Sequence, residues 1–190
     1  AEEFLALAPR VPVRTEVDRL RFLVRASREL ALLKRDALVR RARDLLPSTG
    51  SFSELNLWVL DPRTEVLYPW ALGNTPVVGR RPRLQVGQGV AGQACAEEAL
   101  AFHAGVSEAV FVSEEWGDRP RTLLGGVLTL PLRRGNDPLG VAVLVKADRD
   151  PLPAEEMEFF GELGVQLSIA LGNARLYAEA MREKVQNQLL

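Results

Sequence analysis

One cysteine, Cys95, and one histidine, His103, are the side chains best suited to nucleophilic or metal chemistry in this chain. A lone cysteine makes no intramolecular disulfide, and one cysteine with one histidine cannot build a cysteine zinc cluster. Nor is there a second thiol to resolve an oxidised sulfur. Neither a G-x-S-x-G elbow nor an H-E-x-x-H pair occurs. Glu114, Glu115 and Asp118 form an acidic cluster that reads as exposed charge, ahead of a metal site or an acid/base pair. Arg119 and Arg121 read as solvated cations, with anion binding as the alternative. No catalytic residue, metal ligand or cofactor is assigned, and the chain reads as a non-enzyme.

Gly87, Gly89 and Gly92 fit G-x-G-x-x-G. In a dinucleotide site that pattern follows a buried strand, opens a full helix and precedes an acidic residue about twenty positions on. Here only Leu84-Gln85-Val86 precedes it, after Arg80-Arg81-Pro82-Arg83, and the helix has room for about two turns before Ala99. Glu108 stands at the right distance but in a loop-like stretch. The reading is a tight turn into a short helix whose N-terminal amides point outward, an end that favours an anion.

These residues are carried by a chain of 190 residues, 47% apolar, with a net charge of -1. That suits one domain with appended helices and argues against nucleic acid or an anionic membrane as partner. No window reaches the ~18 apolar residues of a membrane span. Ala1–Ala8 has acids where a signal peptide has basic residues. The expected setting is cytoplasmic and reducing.

Val17, Leu20, Val24, Ser27 and Ala31 recur at three and four and predict a helix with a small or apolar face. A second helix is expected over 36–46. Strands are expected at 52–60 and 65–72 around the turn Asp61-Pro62-Arg63-Thr64, then a loop over 73–83. After the short strand at 84–86 and the glycine turn come a strand fragment at 100–103 and a long loop with a short helix. Strands at 122–132 and 139–147 flank another turn, and one helix runs from 154 to the end. Tight hairpins favour an antiparallel sheet.

The segment Leu84 to Ala94 resembles the glycine turn of GAF domains. Leu128-Thr129-Leu130-Pro131-Leu132 with Asp137 to Leu144 is similar to that family's paired late strands. Phe159 to Ala178 is similar to its closing helix. The resemblance spans roughly residues 38–177. It implies an α+β, GAF/PAS-like fold: a six-stranded antiparallel sheet with terminal helices on one face and a covered cavity on the other. It also implies a sensory module of signalling or transcription proteins. The domains read as 1–35, an N-terminal segment and helix; 36–178, the GAF domain; and 179–190, an extension of the last helix.

The family's usual ligand signatures are missing. Cyclic-nucleotide binders carry Asn-Lys-Phe-Asp-Glu, where this chain has only Phe111-Val112-Ser113-Glu114-Glu115. Cys95 is on the earlier helix and is followed by Ala96, unlike a bilin attachment site. His103 alone is a poor case for haem. Strand alternation separates an aliphatic set, Leu55, Leu57 and Val59, from a set with Asn56, Trp58, Thr129 and Trp70. The second set suits a cavity wall, roofed by Phe111, Trp116, Cys95 and His103. The same aromatics also suit a core that fills its own cavity.

Leu163, Leu167, Ala170, Ala174, Tyr177, Met181 and Val185 form a near-heptad seam. Past Asn173 a sheet of this size cannot cover it, so a second copy is the expected partner and a homodimer through terminal helices the expected assembly. Three functions stand open: a ligand-responsive regulatory domain, a dimerisation module with a collapsed pocket, and a cyclic-nucleotide-binding domain.

Overall fold

A computed structural model describes residues 15–31, 34–46, 49, 51–73, 82–116 and 119–188. The expectations for 1–14, for most of the 73–83 loop and for Asp118 lie outside these residues. Helix α1 (Glu16–Leu30) starts at Thr15, whose hydroxyl accepts from the Asp18 amide while the Asp18 carboxylate accepts from Thr15. This reciprocal cap satisfies donors that the first turn leaves open. Helix α2 (Arg35–Leu45) and strands β1 (Glu54–Asp61), β2 (Val66–Leu72) and β3 (Leu84–Gln85) follow. Then come α3 (Gly89–Glu97), β4 (Ala101–His103), α4 (Ser113–Trp116), β5 (Val127–Arg134), β6 (Asp137–Val145) and α5 (Ala154–Gln188). The strand expected from Thr122 begins only at Val127, because Arg121–Leu123 closes into a 3-10 turn.

The strands pair in the order β3-β2-β1-β6-β5-β4, antiparallel throughout. The α+β, GAF/PAS-like architecture expected from the sequence is present. Helices α1, α2 and α5 cover one face and α3 covers the other. On β1, Leu55, Leu57 and Val59 enter the helix-side core while Trp58 and Leu60 enter the opposite one, as period-two alternation requires. Phe22, Phe159, Phe160 and Phe52 form a chain of edge-to-face contacts, with centroids 5.6, 5.2 and 4.9 Å apart, that joins α1, α5 and the sheet.

Two expectations about helix faces change. In α1 the core side is Phe22, Ala26 and Leu30, whereas Val17, Leu20 and Val24 are more than half exposed, at 55%, 56% and 52%. In α5 the seam divides. Leu163, Leu167, Ala170 and Ala174 are buried in the chain's own core, so they are not free for a partner helix. Tyr177, Met181 and Val185 are exposed, as are Val165, Ile169 and Leu176 on neighbouring positions. The reason is geometric: α5 lies along β5 up to Ala174 and then runs past the sheet. No described helix is long and apolar enough to cross a membrane.

Phe160 is fully buried between two aromatic rings. Phe160→Ala is expected to cost about 3–5 kcal/mol in urea unfolding, against under about 0.5 kcal/mol for Val165→Ala on the solvent side of the same helix.

Candidate functional site

The face of the sheet away from the terminal helices is covered by α3, by the segment after β4 and by α4. Its apolar cluster includes Trp58, Leu67, Val90, Cys95, Trp116 and Val141, with Phe111 packed on its margin. Of the residues expected to form a cavity wall and roof, Trp58, Cys95, Phe111 and Trp116 are therefore brought together. Asn56 is buried, and its Oδ1 accepts from the Gly73 amide at 2.6 Å, so it secures the end of β2. Thr129 is buried and donates to the Ala101 carbonyl at 3.2 Å across the β4–β5 pair. Both spend that polar group on backbone.

Trp70 and His103 do not join the cluster. The β1–β2 register shifts between Leu57 and Trp58: Leu57 pairs with Ala71 and Trp58 with Pro69, which makes Trp70 the extra residue of a bulge. It packs on the helix-side core with the Arg35 guanidinium 5.1 Å from its ring. His103 is exposed at the end of β4, where it lines a small cavity of about 130 Å³ with Gln93, Glu97 and Ser107. Among the described residues no group of three His, Cys, Asp or Glu could hold a metal.

The largest correction concerns Glu115. It is not exposed charge but buried, at 1% exposure. Its two carboxylate oxygens accept from Val90 N at 2.8 Å and Ala91 N at 2.7 Å. The first amides of α3 thus point inward at an acid of the same chain. A helix N-terminus has unpartnered donors and a partial positive charge, and Glu115 meets both. The glycine motif follows from this geometry. A Cβ on Gly89 would stand 2.7 Å from Glu115 Oε2, and its φ is +69°. A Cβ on Gly92 would stand 2.4 Å from the Gln85 carbonyl oxygen, so this glycine lets α3 close on β3.

Burial pushes Glu115 up to about 7, while the two amides and the Trp116 indole pull in the opposite direction. That indole nevertheless completes no hydrogen bond: Trp116 Nε1, like Trp58 Nε1, is buried without an acceptor. Burial also pushes the Cys95 thiol up, Glu98 adds to this, and Arg133 opposes it. Arg119 is held by Glu54 at 2.5 Å, and Arg121 donates to the Val106 carbonyl at 3.3 Å, so neither is simply solvated. A signal for Glu115 exists in the sequence. Val112, Glu115 and Trp116 fall at i, i+3 and i+4, which puts the acid on the apolar side of a single turn.

A sequence profile of the GAF domain family matches residues 34–172. No curated protein sequence matches the chain. Among solved structures, the GAF domain of a phosphoenolpyruvate-protein phosphotransferase from Coxiella burnetii superposes with a TM-score of 0.73 at 19% identity, over 87% of this chain and 99% of that one. The GAF domain of the Acinetobacter phosphotransferase gives 0.70 at 17%, over 86% and 97%. The free methionine-R-sulfoxide reductase of Neisseria meningitidis, in complex with its substrate, gives 0.66 at 18%, over 93% and 98%. At such identities the likeness is one of fold.

The Gly89–Glu115 contact predicts a coupled pair. Glu115→Ala leaves two amides without their acceptor and is expected to cost about 1–3 kcal/mol. Gly89→Ala is expected to cost less in the Glu115→Ala background than in the original protein, by more than about 0.5 kcal/mol in a double-mutant cycle of urea unfolding. Additive costs would show that the two residues do not press on each other.

Proposed function

We propose, from the premise that this chain belongs to the GAF domain family, that it is a regulatory domain that binds a small molecule. The ligand would lie on the sheet face covered by α3 and α4, and the terminal helices of a homodimer would carry its effect. The observation behind the ligand is the pair of indole donors, Trp58 Nε1 and Trp116 Nε1, buried in one apolar cluster with no acceptor. Each such donor costs about 1–3 kcal/mol, which a ligand acceptor offsets. An apolar surface with a few polar groups is the usual chemistry of a small-molecule site. The ligand class is therefore an apolar or aromatic molecule that presents hydrogen-bond acceptors.

A cyclic nucleotide fits less well, because Glu115 already takes the α3 amides that a phosphate would need. A sulfoxide-reducing activity like that of the Neisseria enzyme is not proposed. The thiolate is the reactive form of cysteine, and Cys95 is buried, raised in pKa and the only thiol in the sequence. The dimer rests on the apolar side chains in solvent, Leu20 and Val24 on α1 with Ile169, Leu176, Met181 and Val185 on α5. A reducing, cytoplasmic setting suits the lone thiol. The second reading, a dimerisation module with a filled pocket, is favoured by the close packing of the same face.

A thermal-shift panel of aromatics, oxo-acids, amino acids and nucleotides separates the two. The sensor reading expects a compound that raises Tm and binds about tenfold more weakly to Trp58→Phe, as loss of one hydrogen bond implies. A panel with no hit sinks it and leaves the dimerisation module. For the assembly, light scattering is expected to show a dimer that Leu176→Glu with Met181→Glu converts to a monomer at unchanged far-UV circular dichroism. A monomeric unaltered chain at tens of micromolar overturns the helix-mediated dimer.

A further inference from the structure

The small cavity beside His103 has a lining that includes neither of the two unpaired indoles. Val90, Gln93, Ala94 and Glu97 follow at i, i+3, i+4 and i+7, so one face of α3 forms its wall. The other wall is the end of β4 at His103 and the turn after it, Gly105 to Ser107. That turn is satisfied from within. Gly105 N donates to the His103 carbonyl at 2.8 Å, and the Ser107 carbonyl accepts from Val110 N at 3.2 Å and Phe111 N at 3.0 Å. Gly105 has a φ of +106°, and a Cβ there would stand 3.3 Å from Arg149 Nε. The backbone thus fixes the lip and leaves its side chains unspent. Val90, Ala94 and Val106 are buried and make the deep side apolar. The rim carries the Gln93 amide, the Glu97 carboxylate, the His103 imidazole and the Ser107 hydroxyl. Among the described residues none of these four side chains has a hydrogen-bond or ion-pair partner. Neighbouring charges are committed: Glu98 pairs with Arg133, Arg121 donates to the Val106 carbonyl and Arg149 to the Leu124 carbonyl. Glu97 therefore leaves the lining with an unpaired negative charge.

We propose that this cavity is a second ligand site, for a small organic ammonium whose cation sits at Glu97 and whose short apolar chain lies on Val90, Ala94 and Val106. All four rim groups offer acceptors: carboxylate and amide oxygens, a hydroxyl oxygen and an imidazole nitrogen. A primary ammonium brings three donors and the opposite charge, and its bond to a carboxylate is of the stronger, charge-assisted kind. Size sets the rest. An apolar cavity of about 150 Å³ holds benzene, so one of about 130 Å³ admits about six heavy atoms. A carboxylate or phosphate meets repulsion from Glu97. A bare metal ion makes no use of the apolar side. The site does not rest on the ligand reading of the indole-bearing face, which calls for acceptors on the ligand where this cavity calls for donors. The two faces meet at Val90, whose side chain lines the cavity and whose amide is held by Glu115.

Butylammonium is a probe of the right size. Two-dimensional ¹⁵N NMR of the full chain follows its titration at constant ionic strength, beside titrations with butan-1-ol and butanoate. Expected with butylammonium are saturable shifts of the Gln93, Glu97, Val106 and Ser107 amides, with a Kd on the order of 1 mM for so small a ligand. Butan-1-ol keeps the shape and loses the charge, and is expected to bind at least about tenfold more weakly, as is butylammonium to Glu97→Gln. Glu158→Gln, at an exposed acid of α5, is expected to leave the Kd unchanged, which separates the site from general attraction to surface acids. No saturable shift at about fifty times the expected Kd overturns the site. So does equal binding of butan-1-ol or butanoate, or equal binding to Glu97→Gln. Shifts of the Trp58 and Trp116 indole signals without those of the cavity amides also overturn it, because they place the amine on the other face.

Discussion

Both faces of the sheet are buried, and most of the structure follows from that requirement. From Leu55 to Leu60 every residue of β1 is buried, and the same holds along β6 from Leu139 to Val145. An antiparallel sheet with a wet face would show polar residues at alternate positions there. Here each strand supplies apolar side chains in both directions, so helices must close both sides. The two closures differ. One uses three helices and a row of phenylalanine rings. The other uses a nine-residue helix, a four-residue helix and loops, and it contains a buried carboxylate and two unpaired indoles.

Much of this was legible because it is periodic. The division of Leu55, Leu57 and Val59 from Trp58 and Leu60 needs only the two-residue period of a strand, and the structure keeps it. Trp70 was misplaced because parity holds only within an unbroken ladder. The bulge inserts it as an extra residue on the helix side, and the one local hint is Pro69, since proline within a paired strand is confined to edges and bulges. Glu115 was misplaced for another reason. Its charge suggests solvent, and the groups that retain it are amides 24 and 25 positions earlier in the chain. The glycine turn and the acid each read as ordinary alone. Only their contact explains why Gly89 has no side chain and why the α3 amides are not an open anion site.

The α5 seam illustrates an ambiguity that spacing cannot remove. Apolar residues at three and four mark a buried helix face, but not which surface buries it. Leu163 to Ala174 and Tyr177 to Val185 continue one pattern, yet the first part lies on the chain's own sheet and the second in solvent. The change falls where the sheet ends. It is marked by Asn173, which donates to the Ala31 carbonyl at 2.8 Å, and by Lys34 set 5.0 Å from the Tyr177 ring. These contacts fix the end of α1 and the start of α2 against α5 at the point where it leaves the domain.

The unequal closures also decide where a signal could begin. A change of state needs an element whose two arrangements differ by a few kcal/mol, and a stimulus that distinguishes them. Moving α1 or α5 would expose Phe22, Phe159 and Phe160 together, at about 1.5–3 kcal/mol for each ring returned to water. Moving α4 exposes Trp116 but also frees its indole N–H and the Glu115 carboxylate, whose hydration offsets much of the loss. The inexpensive motion is therefore on the α3–α4 side. The sheet between is shared: on β1 Trp58 faces that side and Leu57 faces the helices, and both sit beside the bulge where the register already shifts. Trp58 and the α5 core are thus separated by the thickness of a single strand.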